Sequence, residues 1–189
     1  MKELPDWLAS TVASDATEGR GVIDTDLIAF SPERTVVGPA LVVKVSRDDN
    51  VAMADVPAAV AGPGMVLVVA GGHESRTAVL GDLVARELLA AGVTAVVTDA
   101  PIRDSRAVAE LGLAVWARKS TPTKSSKNGP GSVGGSVEIG GVRVSDGDIV
   151  VADADGVVVW PQAEVGVLLE KAEAKQRADA ERLAKLTAR

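Results

Sequence analysis

Residues 65–104 read MVLVVAGGHESRTAVLGDLVARELLAAGVTAVVTDAPIRD, and the order of elements within them sets the fold class. Met65 to Val69 is a short unbroken apolar run, the pattern of a strand covered on both faces. Gly71-Gly72 breaks it. Ala78 to Ala91 reads as a helix, with Leu80, Leu83, Val84, Leu88 and Ala91 on one stripe and Gly92 as its stop. Val93 to Val97 is a second buried strand, and Thr98 to Asp104 leaves it as a loop. Strands alternating with a helix in this way predict an α/β chain.

Working outward, Ser105 to Leu111 and Ala114 to Ala117 continue the alternation as a short helix and a strand. Toward the N-terminus, Leu4 to Ser14 reads as a helix, with Leu4, Leu8 and Val12 spaced for one face. Val36-Val37 and Ala40 to Val45 read as strands separated by a Gly38-Pro39 turn. Arg47 to Asn50 is a charged loop, and Val51 to Ala61 a short helix ended by Gly62-Pro63-Gly64. Beyond residue 135 the pattern changes to hairpins. Val137 to Ile139 and Val142 to Val144 flank Gly140-Gly141, and Asp155-Gly156 joins Ile149–Ala152 to Val157–Trp160. A long charged helix follows at about 163–188. Ser120 to Gly135 is the one long irregular stretch, of a kind that is often mobile or functional. No repeat or linker divides residues 1–189, which are expected to form one domain with a mixed sheet, or two sheets, under helices.

Composition narrows the function. Hydrophobic residues make up 47% and charged residues 24%, as in an ordinary globular protein, but aromatics only 2%. The core is therefore aliphatic, and little remains for a base-stacking platform. A net charge of −6 argues further against a nucleic-acid partner. With no cysteine there is no disulfide, thiolate nucleophile or cysteine zinc site, which suits a cytoplasmic protein. Residues 1–10 are polar and lack the apolar segment of a signal peptide. Apolar runs fall far short of the roughly 20 residues a membrane span needs, so no membrane partner is expected.

Histidine occurs once, as His73, so no histidine metal cluster can form within one chain; the plain reading is a solvent-facing loop residue. No nucleophile elbow or phosphate loop is present, and Gly62-Pro63-Gly64 precedes a strand, the wrong context for a dinucleotide. The informative pieces are Gly81-Asp82-Leu83, near a helix start, and Arg103-Asp104, after the next strand. Free backbone N–H groups at a helix start bind carboxylates. An arginine offers a planar fork of donors to a carboxylate or enolate oxygen, and an aspartate is a hard ligand for Mg²⁺ or Mn²⁺. A helix and a strand fold back on each other, so the two pieces can meet. Alone the pair is ordinary, since most Arg–Asp pairs in loops are surface ion pairs worth ~0–1 kcal/mol.

In order and spacing these pieces resemble the RraA-like family, which includes the class II 4-hydroxy-4-methyl-2-oxoglutarate aldolases and the regulator of ribonuclease E. The resemblance runs through Ser14-Asp15-Ala16, Val36 to Val45, Asp49-Asn50, Pro63-Gly64 to Val69 and Gly81-Asp82-Leu83. It continues through Gly92, Arg103-Asp104, Thr121-Pro122, Gly140 to Val144, Gly147 to Val150 and Asp153 to Val157. It implies a layered β/β/α sandwich with mixed sheets and a C-terminal helix.

For function the resemblance implies a divalent-metal-dependent lyase that cleaves a 4-hydroxy-2-oxo acid to pyruvate, with oxaloacetate decarboxylation through the same enolate. Arg103 matches the arginine that holds pyruvate and stabilises its enolate, and Asp104 the metal ligand. Asp82 matches an acid that hydrogen-bonds water on the metal, and Leu83 and Val84 the positions whose N–H groups take the substrate carboxylate beside Gly81. A homotrimer or homohexamer is implied, with Asp179 or Glu181 placed to reach a neighbour's site. No lysine falls among the matched site residues, which argues against a Schiff base. The family pattern departs at Ala107, where an acid is usual, and at Ala100-Pro101 after Asp99. The alternative is a non-catalytic protein-binding regulator like the ribonuclease E inhibitor.

Overall fold

The computed structural model describes residues 4–24, 26–31 and 33–187. In chain order the elements are α1 (Ser10–Thr17), β1 (Ile28–Ala29), β2 (Val36–Lys44), α2 (Val56–Ala59), β3 (Met65–Ala70), α3 (Asp82–Ala91), β4 (Val93–Thr98) and α4 (Ser105–Glu110). They continue with β5 (Ala114–Ala117), β6 (Ser132–Val133), β7 (Ser136–Ile139), β8 (Val142–Ser145), β9 (Ile149–Asp153), β10 (Gly156–Trp160) and α5 (Val165–Thr187). The main sheet runs β1-β5-β4-β3-β2-β9-β10, with β6 also on β2, and β7-β8 form a separate hairpin. Its centre, β2 to β5, is parallel, while β1, β6, β9 and β10 pair antiparallel. This is the mixed α/β architecture expected.

Alternation along the strands builds the layers, because successive side chains point to opposite faces. Leu41, Val43, Leu67, Val69, Val96 and Val115 face α3 and α4, and meet Ala85, Leu88 and Val108. Val42, Val66, Val68, Val97 and Trp116 face the other way, onto Val150, Ala152, Val157 and Val159 and onto the β7-β8 hairpin. The outer side of β9 and β10, including Ile149, Val151 and Trp160, is closed by Ala13 and Ala16 of α1 and Leu168, Leu169 and Ala172 of α5. Two tryptophans tie layers together by their ring N–H groups as well as their bulk. Trp116 donates to Asp153 O at 2.8 Å, and Trp160 to Ala13 O at 3.1 Å.

Several local expectations are corrected. Gly38-Pro39 is not a turn: β2 runs straight through it and changes partner there. Val36–Pro39 pair with β9, and Ala40–Lys44 with β3. Gly38 lies against the backbone of Gly64, where a side chain has no room. The first helix starts later than expected, at Ser10, and α3 begins at Asp82 rather than Ala78. Residues 78–81 instead lie outside the helix, with Ala78 N bonded to Thr123 O and Val79 N to Pro101 O, both at 2.9 Å. Their apolar side chains are buried for that reason and not as a helix stripe. Val51 to Ala61 splits into a 3-10 turn, Val51–Asp55, and the single turn α2. The last helix begins at Val165 after a 3-10 turn, Gln162–Glu164; Ala188 lies outside the described residues.

The irregular stretch 120–135 is pinned as a strap. Buried Asp49 accepts from Ser126 Oγ (2.6 Å), Asn128 N (2.7 Å) and Gly129 N (2.8 Å) on one oxygen, and from Val51 N (2.9 Å) on the other. Burial opposes charge on this carboxylate, but the four donors prevail and hold its pKa well below the usual range.

Candidate active site

Three loops leave the C-terminal ends of parallel strands side by side, where open α/β sheets place their ligands. One leaves β3 at Gly71 and leads to Gly81, one leaves β4 at Asp99 and leads to Asp104, and one leaves β5 at Arg118 and leads into the strap. Short backbone bonds lock them together. Arg103 N donates to Leu80 O at 2.9 Å, and Thr121 N to Ile102 O at 2.8 Å.

The two predicted pieces meet. A methyl group on Gly81 would fall within 2.8 Å of Arg103 Nε and 2.6 Å of Asp104 Oδ2, so glycine is what lets the helix start lie against the pair. Arg103 Nε stands 3.3 Å from Asp104 Oδ2, and both side chains are partly exposed. Asp104 has φ 52°, a left-handed conformation that aspartate tolerates better than most residues. Such outliers concentrate at functional sites. The first bond of α3 runs from Ala85 N to Gly81 O at 2.9 Å. It leaves the N–H groups of Asp82, Leu83 and Val84 without a helical acceptor. Leu83 is 66% exposed beside them.

Arg103 separates two recesses. One, of about 240 Å³, is lined by Gly81, Leu83, Val84, Asn50, Lys124 and Lys127 among others. Asn50 Nδ2 donates to Val79 O at 2.9 Å, while its buried Oδ1 has no partner among the described residues. Two lysines outside the residues matched to the family's site, Lys124 and Lys127, also line this recess. Both arrive on the strap, whose course is set by its contacts with Asp48, Asp49, Thr77 and Ala78. Together with Arg103 they outnumber the recess's one acid, Glu87, and favour an anion. The second recess, of about 560 Å³, runs along α4 and includes Asp104, Arg106, Ala107 and Glu110.

The acids suit one hydrated divalent cation. Among the described residues no three acids or histidines cluster to hold an ion, and Asp104 is the carboxylate that would take one here. Its side chain makes no cap hydrogen bond and is 43% exposed. Mg²⁺ commonly keeps several waters and takes only one or two carboxylates.

Other predicted residues lie elsewhere. His73 is exposed, and its carbonyl accepts from Arg118 Nη1. Asp99 is buried behind the site, accepting from Gly71 N (3.2 Å) and Gly72 N (2.9 Å), and burial raises its pKa. Asp179 is paired with Lys175 on its own helix at 2.9 Å, far along the chain from the site, and Glu181 is exposed. Among the described residues no helix is long and apolar enough to cross a membrane.

Comparison with known proteins agrees with the fold. A family model described as RraA-like, Aldolase/RraA, matches residues 10–159. A protein of Halalkalibacterium halodurans, provisionally named 4-hydroxy-4-methyl-2-oxoglutarate aldolase, is 34% identical over 91% of this chain and 81% of its own length. Among solved structures, Streptomyces coelicolor RraAS2, described as an unusual member of the RNase ES inhibitor RraA family, superposes with a TM-score of 0.81. It is 30% identical and covers 94% of this chain and 93% of its own. The RNA-processing inhibitor RraA of Thermus thermophilus is also 30% identical, with a TM-score of 0.73, covering 82% of this chain and 93% of its own.

Proposed function

The chain belongs to the RraA-like family, and from that premise we propose that it is a divalent-metal-dependent lyase, cleaving a 4-hydroxy-2-oxo acid to pyruvate. The observation that carries the reading is the close approach of Gly81 to Arg103 and Asp104, which sets three free N–H groups of α3 beside a guanidinium and an open carboxylate. The N–H groups of Leu83 and Val84 take the substrate's C1 carboxylate, helped by the positive end of the helix. Arg103 donates to the 2-oxo oxygen, whose negative charge grows as the C3–C4 bond breaks and the enolate forms. Asp82, on the same first turn, handles the proton of the 4-hydroxyl. Mg²⁺ or Mn²⁺ held by Asp104 would supply Lewis-acid polarisation of the same oxygen. Decarboxylation of oxaloacetate yields the same enolate and is expected as a side activity.

The experiment is pyruvate release from 4-hydroxy-4-methyl-2-oxoglutarate and from oxaloacetate by purified protein. Chelation should abolish it, and Mg²⁺ or Mn²⁺ should restore it. Undiminished activity after exhaustive chelation would remove the metal from the mechanism. The likeness to two RNA-processing inhibitors favours a second reading, a protein-binding regulator on the same fold. Absence of turnover with either substrate in the presence of metal would leave that reading standing.

A further inference from the structure

The larger recess beyond Arg103 has a feature that the lyase reading leaves unused. Arg106 and Glu110 line it with Arg103, Asp104, Ala107 and Thr121. Arg106 Nε donates to Glu110 Oε1 at 2.9 Å, one turn along α4. Both side chains are exposed, at 92% and 66%, and the contact leaves the two terminal nitrogens of Arg106 without a partner among the described residues. Ala107 beside it adds neither bulk nor charge. The recess thus extends from the Arg103-Asp104 pair to a second fork of donors on its solvent side.

We propose that Arg106 is the subsite for the distal carboxylate of such a 2-oxo diacid, and that this contact favours aldol cleavage over decarboxylation. The proposal rests on the 2-oxo acid reading above. Arginine suits the role because its planar fork matches a carboxylate. The second half follows from where charge goes. In aldol cleavage the 4-hydroxyl loses its proton, the C3–C4 bond breaks with its electron pair passing to C3, and C4 becomes a carbonyl. The distal carboxylate keeps its charge throughout. Its contact with Arg106 is equal in substrate and transition state, so it lowers KM and leaves kcat alone. In oxaloacetate the distal carboxylate is itself the leaving group. Its C3–C4 bond breaks with the pair passing to C3, and the carboxylate departs as neutral CO₂. Charge drains from Arg106 as the bond breaks, so the same contact stabilises the ground state and slows the step.

A matched pair of uncleavable ligands tests the subsite. 2-Oxoglutarate and 2-oxopentanoate share a five-carbon chain and differ only in a distal carboxylate or methyl group. Calorimetry on the full chain with Mg²⁺ should show about two- to fivefold preference for the diacid, modest because Arg106 is exposed. In Arg106→Ala the ratio should fall to about one, and Arg106→Lys, which lacks the fork, should lie between. For oxaloacetate, Arg106→Ala should raise KM and raise kcat. Equal affinities in the wild type, a preference that survives Arg106→Ala, or a fall in decarboxylation kcat would overturn the assignment. Failure of both ligands to bind at millimolar concentration would overturn the 2-oxo acid reading itself.

Discussion

Gly81→Ala adds one methyl group where the two halves of the site touch. Gly81 is extended, with φ −141° and ψ −166°, so alanine meets no backbone strain there. The obstacle is space, because the new carbon would lie 2.6 Å from Asp104 Oδ2 and 2.8 Å from Cγ and Nε of Arg103. An ordinary contact is about 3.5 Å, so each side chain must retreat by about 0.7–0.9 Å. Both are more than one-third exposed and can move toward solvent. Stability should therefore change little, since alanine also trims unfolded-chain entropy by ~0.4–1 kcal/mol. The melting temperature should stay within about 4 °C of wild type. Function is less tolerant, because a misplacement of about 1 Å costs about 10²-fold in rate. Thermal melts by circular dichroism, pyruvate release and Mn²⁺ titration by water-proton relaxation would report the three effects separately. Wild-type kcat, KM and Mn²⁺ affinity in a folded variant would refute the argument that this contact builds the site.

Arg103→Lys keeps the charge but loses the fork, so steady-state kinetics should show kcat falling about 10²–10³-fold, more than KM rises. Asp104→Ala should weaken metal binding, and added Mg²⁺ should partly restore its rate. Asp49 titrates lower in the folded chain than its ordinary value of 3.8. Its stabilisation is thus full above that value and lost as pH falls below it, which acid denaturation should show. Asp49→Asn, losing acceptors for Asn128 and Gly129, should cost about 1–3 kcal/mol and quicken amide exchange in the strap. Leu183 and Leu186 stand 61% and 60% exposed on the outer half of α5, which covers none of the chain's own core. Light scattering should show a homotrimer or homohexamer that Leu183→Glu and Leu186→Glu together weaken; a stable monomer at micromolar wild-type protein would count against that assembly.

How far the sequence could be read depended on whether the signal was local. The apolar runs of β3, β4 and β5 declare themselves because both faces are covered, and Gly140-Gly141 and Asp155-Gly156 mark hairpins by turn chemistry alone. Periodicity misled at Ala78–Gly81, where Val79 and Leu80 are buried by strand-like pairing with a neighbouring loop rather than by a helical face. The same limit explains the missed lysines. Nothing in the composition of the strap tells that Asp48, Asp49, Thr77 and Ala78 fasten it, and that fastening brings Lys124 and Lys127 to Arg103. Gly81, Arg103 and Asp104 were legible through order and spacing, while the orphaned oxygen of Asn50 emerges only from three-dimensional accounting.

The change of partner within β2 has a consequence for synthesis. Val37 finds its antiparallel mate in Val151, more than a hundred residues later. At about 5–20 residues per second, a growing chain carries the first half of β2 unpaired for roughly 6–23 s. An open strand edge over that interval invites pairing with the wrong chain. Gly38-Pro39 sits in that edge, and proline presents no N–H to a passing strand. The dipeptide that looks misplaced in a finished sheet thus serves as a guard while the sheet is incomplete. Pro39→Val should accordingly lower the yield of native protein during translation more than it alters the melting temperature of the molecules that fold.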